Sequence, residues 1–173
     1  MKRVVALLRA VNVGGTGVIK MAELVKMFEA FGCQDVSTYI QSGNVLFSTS
    51  SKDPKEWLDA KLAPKKLTAI VLDKSELEDA AKHNPFAPVP DTLRAHMHFL
   101  LEAPKKDGVA KLAATAPDQY QWSVRKRVVY YAYTTELAKT GKRKNVNIDK
   151  ILGVAGTSRT HGVVDKLIAL LDA

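Results

Sequence analysis

The segment Arg9-Ala10-Val11-Asn12-Val13-Gly14-Gly15-Thr16-Gly17 gathers residue types suited to holding an anion. Arg9 offers a guanidinium and Asn12 an amide. Gly14 and Gly15 permit positive φ and let backbone N–H groups come close to a ligand. The segment lies between an apolar run and a helix-like pattern, and a helix start favours negative charge. At least one of Gly14 and Gly15 is expected in a conformation costly for other residues. The string matches neither the phosphate-loop motif nor the Gly-x-Gly-x-x-Gly dinucleotide fingerprint. A second polar group, Gln41-Ser42-Gly43-Asn44, has turn composition. Together with Lys20, near the start of the first helix, these residues suit a phosphate or carboxylate. They include no His, Cys or carboxylate, so no general base is evident among them. Binding is therefore the first expectation, and a polar network that only fixes two turns to each other is the bland alternative.

Other chemistry is more scattered. Arg125-Lys126-Arg127, Lys139 and Lys142-Arg143-Lys144 fall at turns, with Tyr120, Trp122, Tyr131 and Tyr133 nearby in the chain. Cations beside aromatic rings suit nucleic acid, through phosphate contacts and base stacking. Solvated loops and cross-strand aromatic pairs are the bland alternative. His96 and His98 alternate along a strand and so share a face, but no neighbouring carboxylate or cysteine completes a metal set. His161 beside Arg159 suits an anion or a helix cap. Cys33, with no histidine near it in the chain, reads as an inert thiol.

These residues must be positioned by alternating strands and helices. Val4–Leu8 is a buried strand. Met21, Leu24, Val25, Phe28 and Phe31 lie on one helical face, closed by Gly32. Val36–Ile40 and Asn44–Ser48 are strands around the Gln41–Asn44 turn. Asp53-Pro54 opens a second helix, 67–72 is a fourth strand, and 75–78 begins a third helix with a capping-box pattern. This order is β-α-β-β-α-β, the ferredoxin-like split βαβ unit, in which the third strand fits between the first two. It places the end of the first strand beside the turn between the second and third. After the Pro-rich joint 85–90 the pattern repeats: strand 95–102, helix 107–115, a hairpin of 119–124 with 127–134, and helices 146–152 and 162–171. The fold class is α+β, with one half over 1–86 and another over 91–173, packed as one unit.

The chain has 173 residues, of which 46% are hydrophobic, enough for a substantial core. Its 26 Lys+Arg against 18 Asp+Glu give a net charge of +8, with most of the excess after residue 90. The single cysteine excludes an intramolecular disulfide and any Cys-clustered zinc or iron–sulfur site. No apolar run approaches the ~20 residues needed to span a bilayer. The N-terminus lacks the layout of a signal peptide. We expect a cytoplasmic protein with no membrane partner, metal or cofactor. Its expected role is to bind a small anionic ligand through Arg9, Asn12, Gly14, Gly15, Lys20, Gln41, Ser42, Gly43 and Asn44. The alternatives are nucleic-acid binding through Arg125, Lys126, Arg127, Lys142, Arg143 and Lys144, or an enzyme whose reaction and catalytic residues these patterns do not specify.

Leu7-Leu8-Arg9-Ala10-Val11-Asn12-Val13-Gly14-Gly15, Lys20-Met21 and Tyr39-Ile40-Gln41-Ser42-Gly43-Asn44-Val45-Leu46-Phe47 together closely resemble a mainly bacterial family catalogued as domain of unknown function 1697. The resemblance spans nearly the whole chain and implies two related, intertwined ferredoxin-like halves. It implies no reaction. The chain departs from the family pattern at Ala10, where glycine is usual. It departs again in Thr157-Ser158-Arg159-Thr160-His161-Gly162, where the arginine is usually followed by an Asn-Trp-Asn-like stretch.

Overall fold

The computed structural model describes residues 1–9, 19–115 and 118–172. Their backbone divides into two units, Met1–Glu78 with Lys166–Ala173, and Asp79–Asp165. The division falls inside a helix rather than at the Pro-rich joint, and the end of the chain groups with the first unit instead of the second.

In the first unit β1 (Lys2–Leu8) is followed by α1 (Met21–Ala30), β2 (Gln34–Tyr39), β3 (Asn44–Thr49), α2 (Pro54–Leu62), a 3-10 turn (Ala63–Lys65), β4 (Ala69–Leu72) and α3 (Lys74–Lys82). The sheet order is β2-β3-β1-β4, all neighbours antiparallel. This is the split βαβ arrangement, with β3 between the two strands that α1 connects. Alternation along the strands sends Val4, Ala6 and Leu8, with Val45, Phe47, Ala69 and Val71, toward Leu24 and Phe28 of α1 and Leu58 and Leu62 of α2. Phe28 meets Phe47 edge-on, with ring centroids 5.3 Å apart. Burial of this set supplies most of the stabilisation, at roughly 1.5–3 kcal/mol per large side chain.

Two helix starts follow directly from sequence. The Asp53 carboxylate accepts from the backbone N–H groups of Lys55 and Glu56 at the head of α2. A capping box does open α3, but its cap is Asp73. Asp73 Oδ1 accepts from the Glu76 N–H, and Glu76 Oε2 accepts from the Asp73 N–H.

The second unit repeats the order. β5 (Leu93–Leu100), α4 (Lys106–Thr115), β6 (Gln121–Arg125), β7 (Val128–Thr134), α5 (Thr135–Thr140), α6 (Ile148–Leu152) and β8 (Gly156–Thr160) form a sheet of order β6-β7-β5-β8, and α7 (His161–Leu171) follows. Leu100, Leu112, Val129, Ile148, Leu152 and Val154 make a core between the sheet and helices α4 and α6. The sequence reading omitted α5 and β8. Gly156-Thr-Ser-Arg-Thr160 lacks the apolar alternation that marks a strand, because it lies at the sheet edge and pairs only with β5. Among the described residues no helix is long and apolar enough to cross a membrane.

Candidate functional site

At one end of the first sheet, the backbone places Arg9 beside the turn that follows β2. The Leu8 N–H donates to the Gly43 carbonyl at 2.8 Å, and the Arg9 N–H donates to the Thr68 carbonyl at 2.9 Å. Gln41, Ser42 and Gly43 thus share the sheet end with Arg9, as the topology implied. Asn44 is fully buried, and its Nδ2 donates to the Tyr39 carbonyl and to the Ser42 hydroxyl, each at 2.9 Å. These bonds tie the amide nitrogen to the turn itself. Gly43 has φ +74° and Ile40 φ +51°. Lys20 precedes α1 in extended conformation without a side-chain cap, and it is exposed. Asn12, Gly14 and Gly15 lie outside the described residues.

The basic residues of the second unit do not form one array. Arg125 grips the Asp79 carboxylate through two bonds of 2.7 and 3.3 Å, and Lys126 reaches the same group at 3.1 Å. These cations hold Asp79 well below the usual carboxylate range. Arg127 donates to the Leu101 carbonyl. Lys142 and Lys144 are exposed, and their backbone N–H groups donate to the Thr140 hydroxyl and the Gln119 side-chain carbonyl.

Arg143 is different, because it reaches the aromatic residues that the sequence pattern set beside the basic turns. Its guanidinium lies 4.8 Å from the Tyr133 ring centroid and donates to the Tyr133 hydroxyl. Tyr133 in turn lies 3.1 Å from His96 Nε2. His96 stacks on Tyr131, its cross-strand partner, at 4.8 Å with the planes 1° apart, and on Tyr133 at 5.4 Å. Tyr120 and Trp122 extend this aromatic layer. Burial, then Arg143 and Arg94, push the His96 imidazole down to about 4, so it is neutral at pH 7. A neutral Nε2 can accept, which orders the chain as Arg143 donating to Tyr133 and Tyr133 donating to His96. Neither Arg94 nor Arg143 has a carboxylate partner among the described residues. Arg94 also lines a cavity of about 580 Å³ with Thr160, His161 and Asp165. His161 accepts a hydrogen bond at Nδ1 from Asn84, 3.0 Å away.

Farther along the same face of β5, His98 is 7% exposed and is gripped on both sides. Its Nε2 lies 2.8 Å from Asp149 Oδ1 on α6, and its Nδ1 lies 2.7 Å from Ser158 Oγ on β8. The Tyr131 hydroxyl donates to Ser158 Oγ at 3.2 Å. The expected shared face of His96 and His98 is observed. The carboxylate that the sequence reading did not find comes from a residue 51 positions away. Asn147, capping α6 by accepting from the Lys150 N–H, and the buried Ile148 and Leu152 fix the helix that carries it. An ionised carboxylate only accepts, so Nε2 carries the proton and Nδ1 presents a lone pair to the serine hydroxyl. The arrangement polarises Ser158 toward loss of its proton. Among the described residues no group of three or more His, Cys, Asp and Glu side chains is placed to hold a metal.

Residues 1–130 match the family model described as "Protein of unknown function (DUF1697)". The chain is also similar to a solved structure, the conserved bacterial protein SP0830 from Streptococcus pneumoniae, with a TM-score of 0.75 and 23% identity over 98% of each chain. No curated protein matches. At that identity the likeness speaks for the fold, and it agrees with the two sheets of identical strand order. With the family model covering most of its length, the chain belongs to the DUF1697 family.

Proposed function

We propose that this protein binds a small anionic ligand, bearing a phosphate or carboxylate and a planar group, on the aromatic face of its second sheet. The observation that carries this reading is the pair Arg94 and Arg143, without carboxylate partners among the described residues, whose charges both act on neutral His96. Two guanidinium groups are suited to a planar anion, and the half-buried Tyr120 and Tyr131 supply rings for stacking. The same chemistry read at Arg9 and the Gln41–Gly43 turn has less support, because the Asn44 amide is engaged within the turn. Nucleic-acid binding also has less support, since Arg125 and Lys126 converge on Asp79. The lone buried thiol is compatible with a reducing cytoplasm.

Calorimetry with inorganic phosphate, benzoate and a nucleoside monophosphate tests the reading. At least one should bind the wild type, and an Arg94→Ala, Arg143→Ala double variant should bind it about tenfold or more weakly, in line with loss of charge-assisted hydrogen bonds. Equal affinity in the double variant, or no binding by any of the three, overturns it.

A further inference from the structure

We propose that Ser158 is the nucleophile of an ester-hydrolysing site, with His98 as its base. Asp149 is a positioning residue that holds the imidazole, and Tyr131 donates to the developing oxyanion. The geometry stands independently of anion binding. Ser158 Oγ, His98 Nδ1, His98 Nε2 and Asp149 Oδ1 form a continuous chain with links of 2.7 and 2.8 Å. The imidazole is turned over relative to the usual hydrolase order, in which Nδ1 faces the carboxylate. The chemistry needs only one nitrogen on each partner, and both are supplied.

In the first step Ser158 Oγ bonds to the ester carbonyl carbon while its proton passes to His98 Nδ1. The imidazolium so formed is stabilised by the Asp149 carboxylate at Nε2. The carbonyl oxygen takes the electron pair, next to the Tyr131 hydroxyl 3.2 Å from Oγ. Burial pushes the Tyr131 hydroxyl up from the ordinary tyrosine pKa, so it remains a protonated donor. Collapse breaks the bond to the alcohol oxygen, which takes the proton from Nδ1 and leaves an acyl ester on Ser158. Water then gives a proton to His98, attacks the acyl carbon, and returns Ser158 as its hydroxyl. The net reaction is ester plus water to acid plus alcohol. Tyr131 stacks on His96, which stands beside Arg94 and Arg143. The substrate class is therefore an ester with an anionic acyl group, and this selectivity alone rests on the binding reading above.

The test is incubation of the full chain with p-nitrophenyl acetate and with mono-p-nitrophenyl succinate, followed by mass spectrometry of the acylated peptide. The wild type should show an acyl adduct on Ser158 and release nitrophenol. Ser158→Ala should lose the adduct and at least about a hundredfold in rate, whereas Ser158→Cys should keep an adduct at the same position. Tyr131→Phe should lose about a hundredfold, as for removal of one oxyanion donor. Asp149→Asn should lower kcat while leaving KM within about twofold, a split that a purely structural role would not give. An adduct elsewhere, no adduct, or equal turnover by folded Ser158→Ala overturns the proposal. The succinate ester should react faster than the acetate, and Arg94→Ala with Arg143→Ala should abolish that preference. With the adduct on Ser158 present, no preference in the wild type, or a preference that survives in the double variant, rejects the anion-binding reading and leaves Ser158 as the nucleophile.

Discussion

Gly156 runs so close to His98 that a Cβ on it would stand 2.8 Å from the imidazole Cδ2 and 2.5 Å from the Phe99 carbonyl oxygen. The absence of a side chain at this point lets β8 bring Ser158 against Nδ1 of a buried ring. The obstructing carbonyl belongs to β5 and cannot swing aside as a flexible side chain would. Gly156→Ala should therefore destabilise the protein by about 1–3 kcal/mol, the range for overpacking a filled site. Urea unfolding measures this, and a changed His98 ring resonance would show that the imidazole has been displaced. Unchanged stability would mean that β8 stands farther from β5 than described.

His96 gives the protein a pH dependence with a defined sign. Its imidazole titrates near the ordinary 6.5 when unfolded but is held at about 4 when folded, by burial first and then by Arg143 and Arg94. Above pH 6.5 the ring is neutral in both states and exacts no penalty. Between pH 6.5 and 4 the unfolded chain takes up a proton that the folded chain refuses, so stability falls as pH falls. The loss should reach about 3 kcal/mol at pH 4, at 1.36 kcal/mol per unit. Comparing denaturant midpoints of wild type and His96→Gln between pH 7 and pH 4 isolates it, because the variant should lack this part of the slope. An anion bound to Arg94 and Arg143 should also raise the His96 titration midpoint, which proton NMR reads directly.

Cys33 is 6% exposed, and burial pushes its thiol up to about 11. The reactive species is the thiolate, so both access and charge state oppose reaction. A disulfide reagent at pH 8 should label Cys33 only as the chain unfolds, with labelling following the denaturant transition. Rapid stoichiometric labelling of the native protein would show that this part of the core opens locally.

The contrast between legible and hidden features has a physical pattern. Sheet order in the first unit was readable because its inner strands are apolar and bounded by turn residues, as in Val4–Leu8 and Val45–Phe47. That the end of β1 lies beside the Gln41–Gly43 turn followed from topology alone. The Ser158–His98–Asp149 chain was not readable, since its members lie on three elements and are joined only by tertiary packing. One of those elements, β8, has no strand-like periodicity, and α6 is a five-residue helix. The alternation of His96 and His98 correctly gave a shared face, yet it said nothing of the carboxylate and hydroxyl brought to that face. Asn44 shows the converse limit. Its residue type suits a ligand, but its burial beside Tyr39 and Ser42 gives it a bracing role in the turn.

The turn at the end of β2 also contains a residue poorly matched to its backbone. Ile40 has φ +51° while being 47% exposed, and neither β-branching nor exposure is favourable there. A left-handed conformation costs an ordinary L-residue about 1–2 kcal/mol, more readily tolerated by asparagine, whose short polar side chain bonds locally. Little core packing opposes a change, because nearly half of the Ile40 surface is already in water. Ile40→Asn should therefore raise stability by about 0.5–1 kcal/mol, while Gly43→Ala, at φ +74°, should lower it by about 1 kcal/mol or more. Thermal unfolding of both variants checks the pair of signs. Destabilisation by Ile40→Asn would show that the isoleucine side chain makes a contact worth more than the strain it imposes.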